Sequence, residues 1–508
     1  MARRLAACVA ALLACAPVAA QQTAETAGEV TLRGPSGFSQ TGRFISYDGR
    51  YFRIESPGGE LTLDGDVVIC EGEACPPEED WVPLLRLSGE RAMGEVLIPA
   101  LIEAFAARRG LGAVRIETGD PDRLFYALRI AGEDVARFEI ALSSSAEGLA
   151  DLLAKETDLA MSARPATPAE VRMGVAADLG DLAAPERVRI VALDAMVPVV
   201  ARDNPVRRLT FAEVEAALSG GIVDWFDLGG DPGPVSVRVP DPATALGARV
   251  ETLTATGAAA ASGDGAAVAA AVAADRRAIG IARLSALRGS GVVVPSTGGG
   301  CGIDLPVTSE AVRRGDHPYA YPLLLIEAER RRSDLTRAFL DFVLSDDAQP
   351  VVRRAGFVDR LSRAVPLSDM GMRLVAAVRA AEGEAGLEAL QVVLGRLDGA
   401  ERLSVTFRDA PDASALSREG VRRLARDIEA GLHDGREIVF AGFAPRGAAA
   451  ARRDAEAYRR AVLERIDAAA ARRVRLTVLG AGDVMPILCE DAPQARQLSR
   501  RVEIWRRG

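Results

Sequence analysis

From Leu85 to about residue 360 the chain alternates between short apolar runs and stripes at helical spacing. No other feature constrains its fold as much. Leu85-Arg86-Leu87 runs through Ser88-Gly89-Glu90-Arg91 into a helix with Val96, Leu97, Ala100, Leu101, Ala104 and Phe105 on its apolar face. A strand, a glycine-containing turn and a helix start leave free backbone N–H groups at a positive dipole end, an arrangement that binds anions. The plainer reading is a helix start capped by Ser88. Further on, Thr210 and Glu213 form a capping box ahead of Phe211, Val214 and Leu218, and that helix ends at Ser219-Gly220-Gly221. The class is α/β.

A chain of 508 residues has room for two to four domains, and 49% apolar with 26% charged residues is ordinary for soluble globular proteins. The net charge of −9 advertises no basic surface, and nucleic acid is not an expected partner. Lys155 is the lone lysine among many arginines, a bias of GC-rich coding more than of function. Met1-Ala-Arg-Arg, the apolar run from residue 5 to 14 and Val18-Ala19-Ala20 have the grammar of a signal peptide over residues 1–20. Leu12-Leu13-Ala14-Cys15 offers a lipoprotein box as the rival, at the cost of a very short apolar region. No later apolar run reaches the roughly 20 residues that span a bilayer.

Beyond the signal stand Cys70, Cys75, Cys301 and Cys489, an even number for an oxidising compartment. Cys70 and Cys75 are spaced for a local disulfide, whereas sequence does not decide whether Cys301 and Cys489 pair. With only His317 and His433 available, a zinc site is the weaker reading, and no cofactor or metal is expected. Residues 28–78 hold short alternating runs separated by Asp48-Gly49, Pro57-Gly58-Gly59 and Asp64-Gly65. They read as a small β-module of hairpins closed by that disulfide.

The stretch Asn204-Pro205, the short helix after Thr210, Ser219-Gly220, Trp225 and Leu228-Gly229-Gly230 resembles the hinge-proximal segment of periplasmic phosphate-binding proteins, the receptors of ABC transporters. Similar to that family, in order, are Ser162-Ala163-Arg164-Pro165, the strands over residues 188–194 and 197–200, Ala278-Ile279-Gly280-Ile281, Tyr321-Pro322-Leu323 and the helix over 338–345. The resemblance covers residues 83–360. It implies two α/β lobes of the type-II periplasmic binding fold, closing by hinge bending on a ligand in their cleft. It implies Ser88, Arg91, Ser162, Arg164 and Thr244 as ligand-binding residues, since hydroxyls and guanidinium forks suit oxyanions. It also implies a transporter permease as partner. Where the family carries a Ser-Gly-Thr-like loop, this chain has Val239-Pro240-Asp241-Pro242-Ala243-Thr244-Ala245, and Glu90 would repel an anion if it faced the cleft.

Residues 361–399 read as a helical, charged connector. Residues 400–508 alternate again: Leu403, Val405 and Phe407, a helix through Val421, Leu424 and Ile428, then Ile438-Val439-Phe440, a helix through Ala455, Tyr458 and Val462, then Val474, Leu476 and Val478. The ending, Gly480-Ala481-Gly482-Asp483-Val484-Met485-Pro486 and then Arg500-Arg501-Val502-Glu503-Ile504, resembles the OmpA-like peptidoglycan-binding domain, an α/β sandwich. The resemblance implies Arg460 as a ligand of the wall peptide. The family's partner Asp is replaced near Pro445, and the usual Asn is Ser499.

The expectation is a non-enzymatic, exported periplasmic protein that captures phosphate or a related oxyanion and is held at the cell wall or outer membrane. The alternative is a scaffold whose receptor-like lobes have lost their ligand and bind a protein.

Overall fold

The computed structural model describes residues 28–34, 37–47, 51–65, 67–76, 82–241, 244, 247, 250, 260–299, 303–328, 334–408, 414–445, 447–488 and 498–508. The expected signal peptide, Cys301 and Cys489 lie outside them. The chain divides into two compact units, Met1–Trp81 and Val82–Gly508.

The first unit is an antiparallel sheet of strands Glu29–Arg33, Ser39–Tyr47, Tyr51–Ser56, Gly59–Asp64 and Ile69–Glu71, in the spatial order fourth, third, second, first, fifth. Alternate positions put Val30, Leu32, Phe52 and Ile54 on one face, where they form the core with Val68. Pro57-Gly58 makes a two-residue turn between the paired residues Ser56 and Gly59. Cys70 and Cys75 form the disulfide read from their spacing.

The second unit is built on an eleven-stranded sheet among the described residues. Its spine is Val188–Ala201, whose run of β-branched and aliphatic residues is buried almost throughout. Residues 188–195 of this strand pair with Ala320–Glu327, and residues 196–200 pair with Ala278–Arg283. It therefore passes from one lobe to the other near Ala195 and Met196.

In the first lobe, Leu159–Ser162, Leu84–Glu90 and Glu133–Ser143 run parallel side by side, so their carboxyl ends share one edge. In the second lobe Ser236–Val239 runs parallel to Ala278–Arg283 and to Ala260–Ala261. Helices cover the faces, and their caps follow the sequence. Thr210 accepts from Glu213 N and Glu213 answers to Thr210 N before helix Phe211–Leu218, and Ser144 with Glu147 does the same for helix Ser145–Leu153. Among the described residues no helix is long and apolar enough to cross a membrane.

One local expectation needs correction. Ser88-Gly89 is not a turn: the strand continues through Glu90 and the helix begins at once, with a π-helical segment at Met93–Leu97 before Ile98–Arg108. Gly89 has φ +128°, and a Cβ there would lie 2.2 Å from the Met161 carbonyl oxygen. Only glycine lets the two parallel strands meet at this point.

The third layer is a five-stranded sheet in the order Ala364–Pro366, Ala400–Phe407, Arg501–Arg507, Glu437–Phe443, Arg475–Gly482. The last two neighbours are parallel and the other pairs antiparallel. Alternation decides its two faces. Ile438 and Phe440 pack on helices Ala415–Glu429 and Ala448–Leu463, while Val439, Ala441 and Phe443 pack on helices Gly371–Ala380 and Gly383–Leu397. The stretch read as a connector thus supplies an edge strand and one helical layer.

This layer docks on the lobes through charged groups. Arg402 donates to both oxygens of Asp316, at 2.9 and 3.1 Å, Arg408 donates to Asp316 at 3.0 Å, and the Ser404 hydroxyl donates to Glu310 at 2.7 Å. Arg418 and Arg422 donate to the carbonyls of Ala183 and Pro185, ahead of the spine strand. Ile487, Leu488 and Leu498 pack on Phe211.

Candidate functional site

In open α/β sheets ligands bind in the crevice outside the carboxyl ends of parallel strands. Here those ends are Ser162, Glu90 and Ser143 in one lobe and Val239, Ala261 and Arg283 in the other. Two helices start directly after strand ends of the first lobe, at residue 91 and at Ser145. Helix Gly265–Ala273 of the second lobe starts after Asp264, which caps it by accepting from the amides of Ala266 and Ala267 at 3.0 Å. The backbone therefore brings positive helix ends toward one cleft. Gly148 makes the fit of helix Ser145–Leu153 possible, since a Cβ there would lie 2.5 Å from the Ser88 carbonyl oxygen.

Two buried charged side chains, one at a strand end of each lobe, meet here. Glu90 is 4% exposed and accepts from the Ser145 hydroxyl at 3.0 Å, while that hydroxyl accepts from Ala163 N at 3.0 Å. Arg283, 8% exposed, lies 3.5 Å from Glu90 and 3.6 Å from Asp264, and its Nε has no hydrogen-bond partner. These separations are ion pairs longer than good hydrogen bonds. Where the strands cross, Asp194 accepts from the Ser285 hydroxyl at 2.6 Å and from the amides of Ala195 and Ser285 at 2.8 and 3.1 Å. Burial pushes its carboxyl up even so.

The residues expected to bind an anion are each engaged by other groups of the chain. The Ser88 hydroxyl donates to Asp151. Arg91 is held by Asp122 at 2.5 Å and Glu95 at 3.0 Å, which raise its pKa. The Ser162 hydroxyl donates to the Arg164 carbonyl at 2.6 Å and accepts from Arg164 N at 3.2 Å, closing the Ser-Ala-Arg-Pro turn. Arg164 makes a two-pronged bond to Glu170, 2.8 Å on each side, and Glu170 also caps helix Pro168–Ala176. The Thr244 hydroxyl donates to the Asp241 carbonyl at 2.7 Å. Sequence reasoning passed over Arg283, although it ends a strand whose first four residues were read, and over Ser145 in the Ser143-Ser144-Ser145 run. Glu90 was noticed as a conflict; its partner in the other lobe was not.

In the C-terminal layer, Arg460 stays exposed near the end of helix Ala448–Leu463, 3.6 Å from Glu456. Pro445 follows the strand end at Phe443, and Asp454 pairs with Arg500 at 2.9 and 3.0 Å. Among the described residues no group of three His, Cys, Asp or Glu is placed to hold a metal ion.

The comparisons with known proteins address the lobes. Residues 126–347 match the family model described as a PBP superfamily domain. No curated protein sequence matches the chain. Among solved structures, a putative phosphate ABC transporter substrate-binding protein with bound phosphate from Clostridium perfringens is 21% identical, with TM-score 0.41, covering 54% of this chain and 99% of that one. An ABC-type phosphate transport receptor from Vibrio cholerae is 16% identical, with TM-score 0.40 and coverages of 54% and 99%. A possible phosphate-binding protein from Planctomyces limnophilus is 16% identical, with TM-score 0.38 and coverages of 59% and 99%.

Proposed function

We propose that the chain is a solute-binding protein that takes a small oxyanion, phosphate or a relative of it, between its two lobes. The observation that carries this reading is Arg283, a buried guanidinium with a free Nε and only long contacts to carboxylates, at an edge where helix N-termini converge. Glu90 is then the internal counterion of Arg283, and an oxyanion competes with it for the guanidinium and for the Ser145 hydroxyl. Titration calorimetry with phosphate, and then with other oxyanions, tests this. Binding is expected in the native protein, about ten-fold tighter in Glu90→Gln and lost in Arg283→Ala, ten-fold being one removed charge contact.

A second reading is favoured by the way Ser88, Arg91, Ser162, Arg164 and Thr244 are all engaged internally. On it the lobes are a scaffold for a protein partner and no oxyanion binds, in the native protein or in Glu90→Gln.

We further propose that the C-terminal layer holds the protein to peptidoglycan in the periplasm, with an ABC transporter permease as the receptor's partner. The ending around Arg500-Arg501-Val502-Glu503 and the exposed Arg460 support wall attachment. Sedimentation of the mature full chain with peptidoglycan tests it: Arg460→Ala should lower the bound fraction, and no binding of the native chain would refute it.

A further inference from the structure

Between the crossing strands and the C-terminal layer lies a cavity of about 300 Å³, formed by groups from both sides of the docking contact. Ile190, Leu193 and Tyr321 come from the crossing strands, and Leu416 and Ser417 from the first turn of helix Ala415–Glu429. We propose that this cavity is a second anion site, separate from the interlobe cleft, for a phosphate monoester with an apolar body.

Charge is the first ground. Arg313, Arg314, Arg360, Arg408 and Arg423 line the cavity, and among the described lining residues Glu419 is the one carboxylate. The carboxylates around it are shared among guanidiniums: Glu419 serves Arg360, Arg422 and Arg426, Asp316 serves Arg402 and Arg408, Glu310 serves Arg313 and Arg314, and Asp359 serves Arg313 and Arg353, while Arg423 has Asp346. Burial, with Arg423 and Arg426 adding to it, pushes Arg360 down to about 10, and burial with Arg402 lowers Arg408. Like charges crowded in a low dielectric repel one another, and a dianion between them relieves that repulsion.

Unanswered donors are the second. His317 lines the cavity and is 2% exposed. Tyr319 N donates to its Nδ1 at 3.3 Å, so Nδ1 is the acceptor; burial keeps the ring neutral, with its pKa pushed down to about 4. The ring proton therefore sits on Nε2, and Nε2 has no hydrogen-bond partner. The Nε atoms of Arg360, Arg408 and Arg423 have none either. Buried donors without acceptors are rare in folded proteins, and here they surround one space.

The helix is the third. Helix Ala415–Glu429, fifteen residues long, starts at the cavity with its cap Ser414, so its dipole adds positive potential there. A phosphate dianion offers several acceptor oxygens to guanidinium forks, to Nε2–H and to a helix end. The apolar walls Ile190, Leu193, Val312, Leu416 and Leu498 suit an apolar body on the ester.

The full mature chain, with its histidines labelled with nitrogen-15, provides the test, because His317 and His433 are its only histidines. Phenyl phosphate is the probe, and His433, which does not line the cavity, is the internal control. The ring signals of His317 should shift saturably while those of His433 stay, and the shift should persist in Arg283→Ala, which removes the cation of the interlobe cleft. Inorganic phosphate should bind this site more weakly than phenyl phosphate, and Arg423→Gln should weaken phenyl phosphate about ten-fold, the loss of one charge-assisted contact. A His317 ring unmoved at millimolar phenyl phosphate overturns the proposal. So does an equal movement of both rings, or a His317 shift that disappears in Arg283→Ala.

Discussion

Glu503 shows how a short motif acquires meaning from its surroundings. It is fully buried, accepts from the Trp505 indole at 3.1 Å and from Arg501 at 2.6 Å, and is also bonded by Arg373. Burial pushes this carboxyl up, but Arg373, Arg402 and Arg501 overcome it and hold it well below the usual range. The Arg-Val-Glu order places Arg501 and Glu503 on the same side of one strand, where they form the ionic core of the C-terminal layer. Glu503→Gln leaves buried guanidiniums uncompensated and should lower stability by about 3–5 kcal/mol in chemical denaturation. Arg164 is a milder case. Its contact with Glu170 is partly exposed, so Arg164→Ala should lower stability by no more than about 1 kcal/mol and leave the interlobe cleft intact. Residue roles were the least legible part of the sequence. A Ser-x-Arg-Pro turn looks the same whether the arginine faces a ligand or, as here, the glutamate that caps the next helix.

At the scale of elements the sequence was far more informative. The capping box at Thr210 and Glu213, the hairpin runs of residues 28–76 and the alternating strands after Leu403 all correspond to structure, because each signal is local and period and caps decide it. The reading failed where a contact distant in sequence decides the backbone. Gly89 looked like a turn residue, yet its freedom is used to pass the Met161 carbonyl inside a parallel pair of strands. Gly89→Ala combines a strained φ with a backbone clash. It should lower stability by at least about 2 kcal/mol, read as a drop in melting temperature. The helices of residues 371–397 were likewise visible as helices, but nothing in their pattern told which sheet they cover.

Across the whole molecule, the docked C-terminal layer ties both lobes to one ionic framework. Arg402 and Arg408 reach Asp316, Arg423 reaches Asp346, and the arginines of helix Ala415–Glu429 reach Ala183 and Pro185. None of these contacts could be read from the sequence, since each joins residues far apart in the chain. Unit Val82–Gly508 should therefore unfold in one cooperative calorimetric transition, and Asp316→Asn should split it into two.

Acid should act in two steps. His317 and His433 are held near pH 4 by burial, below their ordinary 6.5, so the unfolded chain takes up their protons first and stability falls between about pH 6.5 and 4. Asp316 is pushed up by burial but held down to about 2 by Arg402 and Arg408, against an ordinary 3.8. Its contribution is complete above about pH 4 and is lost as pH falls toward 2. Denaturation midpoints across this pH range check both steps.

The most direct measurement is a crystal structure of the mature protein grown with phosphate. The account predicts a tetrahedral anion between the lobes within hydrogen-bond distance of Arg283, with the Glu90 carboxylate turned away from that guanidinium. A phosphate-soaked crystal in which Glu90 and Arg283 keep their contact, with no anion beside Arg283, would contradict it.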